Sequence, residues 1–126
     1  MENKSKERPD LPNEILHGIA TTAEDFQNKV LRPVIKMQSD LLILHLKNKL
    51  TNSKIDLTKL SIVDQKSTLT GFLIKDQAFK KEVIGMVIGQ FSLEEYEKYS
   101  EKSKEINRRI TQIVLNRSLD LIVIKE

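Results

Sequence analysis

Five polar side chains stand where helical spacing calls for apolar ones: Gln27, Gln38, His45, Gln90 and Arg117. Stepping about 100° per residue from Ala23 to Leu50 places Phe26, Val30, Leu31, Val34, Met37, Leu41, Leu42 and Leu44 on one broad arc. Gln27, Gln38 and His45 fall at the middle of that arc. Gln90 takes the same position on a later apolar face, and Arg117 interrupts the stripe of the last helix. A buried amide or imidazole left unpaired costs about 1–3 kcal/mol, so these groups need partners. One solution is a polar network closed within a bundle or dimer seam, where buried polar groups can set register. The other is a small-molecule pocket, in which Arg117 would grip a carboxylate or phosphate bidentately. Arg117 also suits pairing with a buried acid or extension of its stem to solvent. These five are the candidate ligand-binding residues.

Other chemistry finds little support. The chain has no cysteine, which removes disulfides, thiolate nucleophiles and zinc–thiolate sites. No Ser/His/Asp arrangement, phosphate-cradling glycine loop or metal-ligand spacing is present. Paired carboxylates occur only at expected helix starts, Glu24–Asp25 and Glu94–Glu95, where they suit the helix dipole. No catalytic residue, metal ligand or cofactor is assigned, and the reading leans away from an enzyme.

The elements that must position the five residues read as helices. Thr21 and Thr22 offer caps ahead of Glu24 and Asp25, and a long helix runs to Leu50. Pro33 inside it removes one backbone hydrogen bond and crowds the Lys29 carbonyl, which favours a kink over a break. A loop at Thr51, Asn52 and Ser53 precedes a second helix from Ser61 to Lys75, with Ile62, Leu69, Phe72 and Leu73 inward. A third begins near Asp76 with Phe79, Val83, Met86 and Val87 on one face. Ala78, Gly85 and Gly89 form a row of small residues on it that would admit a close neighbour. Ser92 and Glu95 form a capping box. From there Tyr96, Tyr99, Ile106, Ile110, Ile113, Val114 and Leu121 track one stripe almost to the terminal LIVIKE.

The 126 residues suit one domain, a loose tail over 1–13 and a helical domain over 14–126. In the polar N-terminal stretch, Ile15, Leu16 and Ile19 form a short docking turn, and no signal-peptide h-region is visible. Apolar runs are interrupted by charge short of the roughly 18 residues a span needs, so the expectation is a soluble cytoplasmic protein without membrane partners. A net charge of +3 is compatible with nucleic acid but weak as a signal. A helix-turn-helix reading of Asp64–Ser92 would make FKKEVIGMVIGQF the recognition helix, and that segment is too apolar for the task.

The segments FQNKVLRPVIKMQSDLL, IGMVIGQFSLEEYEKY and INRRI resemble a group of small flavobacterial proteins, many labelled "glyoxalase". The resemblance covers most of Phe26–Arg117 and implies an all-helical domain. Glyoxalase I-type enzymes bind a metal through His and Glu. This chain's two histidines, His17 and His45, form neither a His-x-x-x-His nor a His-x-Glu pattern.

The resulting expectation is an all-α, elongated bundle of about four helices. Two of them would be about 40 Å long, against roughly 35 Å for a compact domain of this size. The first arc spans about half the helix, where a surface helix needs only about 100°. A second copy of the chain would cover the remainder, giving a homodimeric protein-interaction module. The alternatives are a small-molecule binder using the polar cluster and, more weakly, a nucleic-acid binder.

Overall fold

A computed structural model describes residues 22–124, which are helical with no strand among them. The N-terminal tail, the turn at Ile15, Leu16 and Ile19, His17 and the Thr21 cap lie outside the described residues, as do the last two positions of LIVIKE. The order is α1 (Thr22–Phe26), a first π turn (Gln27–Leu31), α2 (Arg32–Met37), α3 (Ser39–Asn52) and a 3₁₀ turn (Leu57–Lys59). There follow α4 (Ile62–Thr70), a second π turn (Gly71–Lys75), α5 (Gln77–Ile88), α6 (Leu93–Glu101) and α7 (Ser103–Leu121).

Side-chain caps open three of the helices. Ser61 Oγ accepts from Asp64 N–H at the start of α4, and Asp76 Oδ1 accepts from Phe79 N–H at the start of α5. Ser92 and Glu95 close the expected capping box ahead of α6. Pro33 neither ends the helix nor passes unnoticed. The turn before it widens, with Arg32 N–H bonding Gln27 C=O five residues back, and Pro33 then sits in the first turn of α2.

That π turn corrects the predicted arc. A π turn inserts one residue, so everything after it is rotated back by about 100° relative to a uniform helix. Ile35, Leu46 and Leu50, placed outside the arc by uniform stepping, are buried at 1, 2 and 5% exposure, while Leu41 and Leu44 turn outward at 54 and 57%. Met37 is half-buried.

The last stripe is also divided. Lys102 leaves helical geometry (φ −139°, ψ 42°), separating α6 from α7. Tyr96 and Leu121, expected inward, are 49 and 55% exposed. Tyr99 bridges the break, its hydroxyl donating to Asn107 Oδ1 at 2.7 Å. With Gln38 also non-helical (φ −92°, ψ 6°), the two long helices of the sequence reading are each segmented.

The centre of the molecule is α7. It packs against α2, α3, α4, α5, α6 and both π turns, and Ile106 and Ile110 are fully enclosed. Thr111 and Ser118 are buried on it because each hydroxyl bonds the carbonyl one turn back, at Asn107 and Val114. Among the described residues, a Cβ on Gly85 would meet nothing within 4 Å, and one on Gly89 would meet backbone oxygens of its own helix.

Candidate functional site

The fold gives three of the five polar residues, Gln27, His45 and Arg117, separate side-chain partners. Gln27 lies in the first π turn, and its Oε1 accepts from Arg109 Nη1 at 2.8 Å. Arg109 also bonds Glu105 through Nε at 2.8 Å, and Arg108 reaches the same carboxylate oxygen at 2.6 Å. The Arg108 hydrogen bond, then that of Arg109, holds the Glu105 carboxyl below its ordinary pKa.

His45 sits at the edge of the buried face, with a third of its side chain exposed. The one-residue rotation moves it there from the predicted centre. Its Nε2 lies 2.9 Å from Glu82 Oε1 on α5, and its ring stacks on Phe79 at 5.1 Å and 13°. One turn on, Lys49 Nζ lies over the Phe72 and Phe79 rings and 3.0 Å from Asp76 Oδ2. The Phe79 N–H bond, then Lys49, lowers the Asp76 pKa. Lys49 and His45 thus tie α3 to α5 through side chains.

Arg117 Nε donates to Ser39 Oγ, which itself donates to Ile35 C=O at 3.0 Å. The arginine borders a cavity of about 10 Å³ with Ile35, Leu42 and Ser118, room for a water at most. Gln38 is buried, and its Oε1 has no hydrogen-bond partner among the described residues. Gln90 is half-buried in the turn after α5. Among the described residues, no hydrogen bond joins any two of the five. A surface groove of about 540 Å³ at the Lys102 break is lined by Ser100, Lys104 and Arg109 among others, and none of the five lines it.

Sequence reasoning missed the partners Glu82, Lys49, Arg109 and Ser39, since a contact between distant segments leaves no trace in spacing. It also missed Gln65, the most deeply buried amide among the described residues, at 3% exposure. Its signal was available: Ile62, Gln65 and Leu69 recur at helical spacing on the inward face of α4. Among the described residues no three His, Asp or Glu converge to hold a metal ion, and no helix is long and apolar enough to cross a membrane.

The rotation that corrects the core creates another feature. On α3 the buried Ser39, Leu42, Leu46 and Leu50 define the inward direction, and at about 100° per residue Leu41 and Leu44 straddle the direction opposite. The helix is apolar on both sides, a pattern that belongs to an enclosed helix. No family model, curated protein or solved structure matches the chain.

Proposed function

We propose that this chain is a non-enzymatic helical module that associates with itself. The observation that supports the reading is the pair Leu41 and Leu44, 54 and 57% exposed on the side of α3 opposite its core face. Two leucines one turn apart in water forfeit the burial that drives helix pairing, about 25 cal/mol per Å² of apolar area. Helix caps, a buried core and paired charges hold the domain together; an outward leucine pair adds nothing to it. Covering that pair is what an association would accomplish.

Light scattering across roughly 10 to 500 µM, the range that small interfaces require, tests this reading. A mass that rises from monomer to dimer with concentration is the expected result. A folded chain that stays monomeric throughout rejects it.

A further inference from the structure

Resting on that reading, we infer that the interface is the outward face of α3, packed antiparallel against the same face of a second copy. Leu41, Leu44, Asn48 and Thr51 recur at intervals of three, four and three, the spacing of a coiled-coil seam. All four are exposed. Asp40 and Lys47 lie seven residues apart on one flank of that stripe, both exposed. Among the described residues neither enters an ion pair.

The charges select the occupant and its direction. In an antiparallel pair, residues on the same flank face each other. Placing the two-fold axis level with the Leu42–Ile43 bond sets Leu41 of each copy against Leu44 of the other. It also brings Asp40 to within about 3 Å in height of the second copy's Lys47. Side chains on a helix lean toward its N-terminus, so Asp40 and the opposing Lys47 lean toward each other. Symmetry makes the pair twice. A parallel arrangement would set Asp40 against His45, which Glu82 already engages, and Lys47 against uncharged Asn52. Two Leu41–Leu44 contacts and two Asp40–Lys47 pairs, related by the two-fold axis, therefore make the face complementary to itself. The face is short, so the association is weak, with Kd on the order of tens of micromolar.

Sedimentation velocity on the full chain tests the inference, with circular dichroism to verify folding. Leu41→Glu with Leu44→Glu should abolish association across the range in which the parent dimerises. Asp40→Lys or Lys47→Asp alone should weaken it about fivefold, and the two together should restore it to within about twofold. Direction is read separately, because the chain has no native cysteine. Two Thr51→Cys sites lie about 25 Å apart in the antiparallel pair and within about 10 Å in a parallel one. Dimerisation without capture by a short bismaleimide is expected, and efficient capture overturns the antiparallel arrangement. Association that survives the double leucine change, or charge changes that fail to compensate, overturns this face and leaves self-association standing. A parent that never associates overturns both.

Discussion

Gln65 and Ile124 are joined by two hydrogen bonds across 59 residues of sequence: Ile124 N–H donates to Gln65 Oε1 at 2.7 Å, and Gln65 Nε2 donates to Ile124 C=O at 3.3 Å. The same Nε2 also bonds Leu60 C=O at 3.1 Å. One buried amide thus pins the segment after α7 to the start of α4, with Ile122 and Val123 buried beside it. Gln65→Leu leaves these backbone groups without their partner and should cost about 1–3 kcal/mol. Urea unfolding measures it, and a cost under about 0.5 kcal/mol would show that water replaces the amide.

The α3–α5 contact rests on Phe79 more than on its charges. Phe79 is 3% exposed and touches His45, Phe72 and Lys49, so Phe79→Ala should destabilise by about 3–5 kcal/mol. The His45–Glu82 pair stands in solvent, with Glu82 58% exposed. Glu82→Gln should change stability by no more than about 0.5 kcal/mol. Chemical denaturation of both variants compares the two, and equal effects would refute the ranking.

Gln38 carries a buried amide oxygen with no partner among the described residues. Methionine matches its length and removes the polar atom, so Gln38→Met should be neutral or stabilising by about 1 kcal/mol. A clear loss in thermal melting would mean that the oxygen has a partner in solution.

Within α3, Leu44 and Leu46 should respond to very different degrees. Leu46 is 2% exposed, and Leu46→Ala should cost about 2–5 kcal/mol. Leu44→Gln, at an outward position, should shift the unfolding free energy of the monomer by less than about 0.5 kcal/mol. Dilute samples keep association out of the comparison.

Acid should weaken the fold through Glu105, Asp76 and Asp56. Arg108 and Arg109 lower the first, the Phe79 N–H and Lys49 the second, and Thr58 the third. A carboxyl whose folded pKa is lowered contributes stability that is present above its unfolded pKa, about 4. That contribution is lost as pH falls through the folded pKa. Melting temperatures should therefore hold down to about pH 4.5 and fall below it. Glu105→Gln should flatten the decline, and a variant as acid-sensitive as the parent would remove Glu105 from the account.

The local determinants were open to reading because they act within a few residues. Ser61, Asp76 and the Ser92–Glu95 box bond backbone N–H groups two or three positions away, and the sequence alone placed these helix starts. Inward positions in the next two elements, Leu69 and Leu73, then Phe79, Val83 and Val87, followed from spacing and are buried, although a second π turn at Gly71–Lys75 ends α4 before the expected Lys75. The face of α3 did not, because its orientation depends on a π turn eight residues before it begins. One inserted residue rotated Leu41 and Leu44 from core to surface and His45 from centre to edge.

The helical class, the capped boundaries and the absence of cysteine chemistry are thus properties of the sequence itself, governed by neighbours a turn apart. Tertiary structure decided that α7 is central and which distant partner three of the polar side chains take: Arg109 for Gln27, Glu82 for His45, Ser39 for Arg117. Those pairings span 37 to 82 residues, a separation over which helical periodicity carries no phase. Only the packed chain brings such groups within hydrogen-bonding reach.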